Sequence, residues 1–236
     1  MKSHHLEDFK TVGEQLQNFL MKFDNLDYVY IYPKEDLLEA KKKNKKELYF
    51  KTDAHQSDFG GYISYIALMK VLKKDFKNLK AASLSEYDMK KNKMICFSEE
   101  EGCGIGNANK SSLNNVKYLN TEYEYYYPKK NIKLFSKPYG NSDLLLNKSY
   151  YPKGYNKKVL LIGSSYVEKL YIFLKQTFRY TDKVRVNNLR EQNFHMSRFE
   201  NKIREEKPDI MIVVLNESEA FQYIQTMYDD SKELDF

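Results

Sequence analysis

The first group of candidate catalytic residues is an aspartate and a histidine that lie two positions apart. Asp53 and His55 lie in an extended stretch just before a helical pattern begins. Residues i and i+2 of extended backbone project to one face, so the carboxylate can hold one imidazole nitrogen while the other contacts a nucleophile. The pair therefore supplies a general base and the group that orients it. The structural alternative is that Asp53 caps the local chain and His55 is an ordinary polar loop residue.

The second group is a serine-containing turn that follows an apolar strand. Val159–Ile162 is a continuous apolar run, and Gly163, Ser164 and Ser165 connect it to a helical pattern. A serine on such a turn is exposed and lies near backbone N–H groups that can hold an oxyanion. The same turn also occurs where a phosphate binds, or where small residues simply let the chain pass. By itself, the turn only weakly indicates a nucleophile.

The remaining histidines are poorer candidates for the base. His4 and His5 belong to a polar opening segment, and His195 precedes a predicted helix with only Glu191 as a carboxylate nearby in sequence. We therefore expect His195 to be a surface or capping residue, and His55 to be the base.

Continuous apolar strands alternate with helical patterns along the chain. The pattern predicts five helices, which cover 9–23, the charged stretch after residue 33, the residues from the N-cap Ser57 onward, Ser165 to about 178, and 197–206. It predicts four strands, over 28–32, 159–162, 184–186 and 210–215. The segment from about 95 to 152 predicts loops and irregular strands. The pattern favours the α/β class, as a three-layer α/β/α sandwich with a mostly parallel central sheet that binds ligands at the carboxyl ends of its strands.

The length of the chain favours one domain. A chain of 236 residues with 42% hydrophobic and 31% charged residues can bury one sizeable core, and its apolar runs are too short to span a bilayer. We expect a single domain over 10–236, with residues 1–9 disordered or vector-derived.

Three blocks of the sequence resemble one known family, the alginate O-acetyltransferase type of SGNH-hydrolase-like proteins, which is related to the DHHW proteins. The first block is Tyr49–Tyr62, where a Lys-Thr pair precedes Asp-x-His, a polar turn and a glycine-containing helix start. The second is Val159–Tyr166, and the third is Lys207–Val214, a strand that ends near Glu217. In this family, as here, the Asp-x-His pair precedes the serine, the reverse of the order in common SGNH hydrolases.

The resemblance implies an SGNH-hydrolase-like sandwich with a catalytic triad of Ser165, His55 and Asp53. Position within the second block assigns the nucleophile to Ser165, although the preceding serine stands where many members carry aspartate, which leaves open which hydroxyl acts. Gln56 stands where the family often has tryptophan. Asn107 lies in a segment similar to a family glycine loop.

The implied reaction is a ping-pong transfer of acetyl groups to or from hydroxyls of a bacterial surface polysaccharide, with no cofactor and no metal. With water as acceptor, the same triad makes a carbohydrate acetylesterase. A non-catalytic polysaccharide-binding module with a basic surface and 21 tyrosines is the alternative from another class. The net charge of +6 comes without a nucleic-acid-binding motif, so no nucleic acid is expected.

The resemblance also implies an extracytoplasmic location, in the periplasm or at the cell surface, and a membrane acyl-transfer protein as a possible acetyl donor. The polar opening of this chain lacks the features of a signal peptide, so we expect the export signal to be absent from this chain. Cys96 and Cys103 are either free thiols or one local disulfide, and a disulfide would favour that location.

Overall fold

The structure is a computed structural model that describes residues 29–50, 55–93, 122–129, 132–138, 144–186, 204 and 206–216. The chain divides into two compact units. The larger unit, Pro33–Asn187 with Lys207–Val214, contains the helices and strands given below. In the smaller unit the rings of Tyr30 and Tyr32 stack with 6.5 Å between centroids, and residues 29–32 form no strand, contrary to the sequence pattern. The single domain over 10–236 stays a prediction, and residues 1–9 lie outside the described part.

Five strands of the larger unit form a mixed sheet. They are β3 (Lys133–Pro138), β4 (Leu144–Tyr150), β5 (Tyr155–Gly163), β6 (Phe178–Val186) and β7 (Ile210–Val214), in the spatial order β3-β4-β6-β5-β7. β5 is parallel to both β6 and β7, whereas β4 is antiparallel to β6 and to β3. The α/β class is therefore confirmed, and the three-layer arrangement stays a prediction.

The sheet is less parallel than the sequence pattern predicts, because half of its described pairings are antiparallel. β3 and β4 come from the segment that predicted loops and irregular strands. A hairpin needs only a short turn to add antiparallel strands, whereas each further parallel strand needs a long crossover. The antiparallel pair β3 and β4 therefore extends the sheet beyond β6, with no further helix among the described residues.

β5 is the centre of the core. Val159, Leu160, Leu161 and Ile162 have no accessible surface, so both faces of this strand are covered. Helix α3 (Val167–Thr177) follows at once and buries Phe173 and Leu174. At about 1.5–3 kcal/mol for each large apolar side chain, this burial makes β5 and α3 a rigid base for the turn between them.

β6 begins directly after α3 and is longer than the predicted strand over 184–186. The strand contains the buried polar residues Thr181, Asp182 and Lys183. Because these residues are polar, this part of the strand lacks the apolar pattern by which a buried strand is predicted. The Lys183 ammonium donates to both carboxylate oxygens of Glu168 on α3, at 2.5 Å each, so the buried charge is paired.

Two further helices and an antiparallel pair of strands also belong to the described part of the larger unit. α1 is Lys34–Lys43 and α2 is Asp58–Asp75, and a 3-10 turn at Leu84–Glu86 leads into the antiparallel pair β1 (Tyr87–Lys93) and β2 (Glu122–Pro128). The predicted N-cap Ser57 is confirmed, since its Oγ accepts the N–H of Gly60 at 3.0 Å.

Candidate active site

The serine turn is built by the end of β5 and the start of α3. Gly163 has φ of 157°, and a Cβ there would lie 2.2 Å from the Val214 carbonyl oxygen of β7. Only glycine fits this conformation and this space. The next residues close the turn, with the Val167 N–H donating to the Ser164 carbonyl at 3.1 Å. Ser164 is buried with 7% exposed, whereas Ser165 is half-buried at the start of the helix.

His55 is held at the start of α2 by backbone hydrogen bonds. The Phe50 N–H donates to the His55 carbonyl at 3.1 Å, and the Ser57 N–H donates to the Leu48 carbonyl at 2.9 Å. The Ser57 hydroxyl donates to the Glu47 carbonyl at 2.6 Å. These bonds fix the extended stretch that carries the imidazole before the helix begins.

The two segments bring His55 and Ser165 together. The His55 Nε2 and the Ser165 Oγ lie 2.5 Å apart, although 110 positions separate the residues in sequence. Both residues are half-buried. An imidazole in hydrogen-bond contact with a serine hydroxyl is the geometry in which the ring can accept the hydroxyl proton as the oxygen attacks a carbonyl.

The third predicted member, Asp53, lies outside the described residues, and its role stays a prediction. The same holds for His195, Asn107 and Glu217, and for the two cysteines, Cys96 and Cys103. Among the residues that the structure describes, no three His, Cys, Asp or Glu side chains are grouped so that they could hold a metal ion. No described helix is long and apolar enough to cross a membrane.

Two features of the site were missed by sequence reasoning. The Tyr166 ring stacks on the His55 imidazole, and a buried ion pair between Asp58 and Lys169 lies beside the site. In the sequence, Tyr166 is only the last residue of the second family block. The ion-pair residues follow His55 by three positions and Ser165 by four, a spacing that could have drawn attention to them.

The fold is similar to that of solved structures at low sequence identity. A DHHW family protein from Eubacterium siraeum has a TM-score of 0.64 and 12% identity over 93% of this chain and 74% of its own. PatB1 from Bacillus cereus has a TM-score of 0.62 and 16% identity over 93% of this chain and 78% of its own. PatB1 has also been solved with a sulfonyl adduct.

A third similar structure is the O-acetyltransferase domain of Pseudomonas putida AlgJ. Its TM-score is 0.52, with 11% identity over 89% of this chain and 68% of its own. The sequence itself matches no protein-family profile and no curated protein sequence. The comparisons therefore establish the shared fold.

Proposed function

We propose that this chain is an SGNH-hydrolase-like O-acyltransferase that moves acetyl groups to or from hydroxyls of a bacterial surface polysaccharide. The observation that carries the proposal is the 2.5 Å contact between the His55 Nε2 and the Ser165 Oγ on a strand-turn-helix. The fold likeness to an O-acetyltransferase domain supports acetyl as the transferred group. The family resemblance of the three sequence blocks supports a glycan as acceptor.

The first half of the reaction loads Ser165. Its Oγ attacks the carbonyl carbon of an acetyl ester while His55 Nε2 takes the hydroxyl proton. The tetrahedral intermediate carries an oxyanion, which backbone N–H groups of the turn between β5 and α3 stabilise. Its collapse breaks the ester bond, and the leaving alcohol takes the proton from the imidazolium. The products are acetyl-Ser165 and the free donor alcohol.

The second half transfers the acetyl group to a sugar. A sugar hydroxyl gives its proton to His55 and attacks acetyl-Ser165, and collapse returns the proton to the Ser165 Oγ. Asp53 holds the imidazole in the correct orientation and stabilises its cation. When water takes the place of the sugar, the same steps make the chain a carbohydrate acetylesterase. We place this reaction outside the cytoplasm, with a membrane acyl-transfer protein as donor.

The test is acetate release from a chromogenic acetyl ester by the purified chain, with Ser165→Ala as control. We expect turnover by the unaltered chain and none above background by the variant. Adding an oligosaccharide and measuring its acetylation by mass spectrometry separates transferase from esterase. A chain that neither releases acetate nor reacts with a sulfonyl fluoride contradicts catalysis, and retained polysaccharide binding would then identify a binding module.

A further inference from the structure

The ion pair between Asp58 and Lys169 joins the same two segments as the contact between His55 and Ser165. Asp58 is the first residue of α2 and follows His55 by three positions, and Lys169 lies one helical turn after Ser165 on α3. The Lys169 Nζ donates to the Asp58 Oδ1 at 2.6 Å across 111 positions of sequence. The two contacts are therefore parallel links between the starts of two helices.

Both charged side chains are buried, with 3% of Asp58 and 7% of Lys169 exposed. The second carboxylate oxygen of Asp58 accepts the Tyr126 N–H of β2 at 3.0 Å. The Lys169 ammonium lies 5.0 Å from the centroid of the Phe50 ring and 5.9 Å from that of Tyr125. Each charge is thus held from more than one side, which fixes the geometry of the pair.

The two helix starts also approach closely. A Cβ at Gly61, on the first turn of α2, would lie 2.6 Å from the Lys169 Cβ on α3. The attraction within a buried charge pair weakens as the two groups separate. A shift of α2 against α3 would therefore stretch the ion pair and the contact between His55 and Ser165 together.

We infer that Asp58 and Lys169 are positioning residues that set the distance between the His55 imidazole and the Ser165 hydroxyl. This inference rests on the proposed function, since it concerns the same site. Their contacts given above are with each other, with one backbone N–H and with two aromatic rings. Their effect is transmitted through three residues of chain to His55 and through one helical turn to Ser165.

The experiment separates positioning from stability by comparing a single and a double variant. Lys169→Met leaves the Asp58 carboxylate buried without its ammonium, so we expect a lower Tm and lower activity. Adding Asp58→Asn removes the second charge and keeps an oxygen that can accept the Tyr126 N–H. The double variant therefore avoids the cost of leaving one charge buried without its partner. We expect the Tm of the double variant to recover while kcat for the acetyl ester stays about tenfold to a hundredfold low, with KM little changed.

The matched control is the pair Lys157 and Asp209, which is joined at 2.7 Å across 52 positions and lies on neither α2 nor α3. The second carboxylate oxygen of Asp209 accepts the Lys158 N–H, as that of Asp58 accepts the Tyr126 N–H. Lys157→Met with Asp209→Asn should leave kcat within about twofold of the unaltered chain. Activity that recovers together with Tm in the Asp58→Asn, Lys169→Met variant overturns the inference, because the pair would then act through stability alone.

A second readout does not depend on the proposed reaction. The ring resonances of His55 can be assigned by NMR with His55→Gln, since the chain has only four histidines. Ser165→Ala should shift these resonances by removing the hydroxyl beside the ring. The double variant at Asp58 and Lys169 should reproduce that shift, and the control pair should not. An inactive unaltered chain contradicts the proposed function, whereas His55 resonances unchanged in the double variant overturn the positioning role.

Discussion

The Tyr166 ring lies over the His55 imidazole, with 4.9 Å between ring centroids and 29° between ring planes. Tyr166 directly follows Ser165 and is the N-cap residue of α3. The backbone that places the candidate nucleophile therefore also places the aromatic face against which the candidate base rests. The orientation of the imidazole depends on this stack as well as on the loop that carries it.

Tyr166→Ala should lower kcat for an acetyl ester with little change in KM, because the ring supports the base. An aromatic stack of about 0.5–1.5 kcal/mol corresponds to a loss of about two- to tenfold. Tyr166→Phe keeps the ring and should keep the rate. Tyr127→Ala, at an exposed tyrosine of β2, is the control. Steady-state kinetics of the three variants measure this, and an unchanged kcat in Tyr166→Ala would count against the role.

Ser164→Ala should keep most of the activity, whereas Ser165→Ala should reduce it to background. The Ser165 hydroxyl is the one in contact with His55, and Ser164 is buried in the turn. Labelling with a sulfonyl fluoride followed by mass spectrometry of the peptides locates the reacting residue. Modification of Ser164, or equal loss of activity in the two variants, would reverse the assignment.

Asp53→Asn should damage activity less completely than loss of the serine. The carboxylate orients the imidazole and stabilises its cation without itself taking the proton. We expect about a hundredfold more residual activity than in Ser165→Ala, together with an altered pH profile of kcat/KM. Asp88→Asn, at an exposed carboxylate of β1, is the control and should keep the rate. If rate and pH profile stay those of the unaltered chain, Asp53 does not belong to the triad.

Gly163→Ala should destabilise the chain and abolish the site together. The methyl group would meet the Val214 carbonyl oxygen at 2.2 Å and the Val167 Cγ1 at 2.8 Å, in a conformation that L side chains rarely adopt. Backbone strain alone costs about 1–3 kcal/mol, and overpacking adds about 1–3 kcal/mol. Asn156→Ala, at an exposed position of the same strand, should be nearly neutral. Denaturant unfolding of both variants measures the difference, and equal free energies of unfolding would refute the prediction.

Stability should fall at alkaline pH through Tyr65. Burial raises the pKa of Tyr65 from 10.0 to about 12. The folded state keeps this proton to a higher pH than the unfolded chain, so the contribution is complete below pH 10 and is lost as the pH rises from about 10 to about 12. Tyr65→Phe should weaken this dependence in plots of unfolding free energy against pH.

At neutral pH, Tyr65→Phe should also cost about 1–3 kcal/mol, because the phenol oxygen accepts the Ala82 N–H at 2.7 Å. Thr177→Val removes a hydrogen-bond partner of the Tyr65 phenol but keeps the phenol itself, which can still lose its proton at high pH. It should therefore destabilise the chain while keeping the alkaline loss. The prediction is wrong if Tyr65→Phe shows the full alkaline loss of the unaltered chain.

The parts of the fold that could be predicted are those that depend on residues close together in sequence. The apolar run of β5, the Gly-Ser-Ser turn and the Ser57 cap each lie within a few residues, so periodicity and side-chain chemistry reveal them. The antiparallel placement of β4 beside β6 could not be predicted, since it depends on pairing between distant strands. The burial of Lys169 could not be predicted for a related reason. A lysine in a helix is expected to be solvent-exposed unless its distant partner, here Asp58, is known.

Because 110 positions separate His55 from Ser165, the two residues are synthesised at different times. At about 5–20 residues per second, a ribosome takes roughly 5 to 20 s to proceed from the histidine to the serine. β7, whose Val214 carbonyl lies against Gly163, is made later still. The imidazole of a nascent chain therefore exists for seconds before its hydroxyl partner has been translated. The turn that carries Ser165 adopts its final conformation only after β7, the last strand of the described sheet, has emerged from the ribosome.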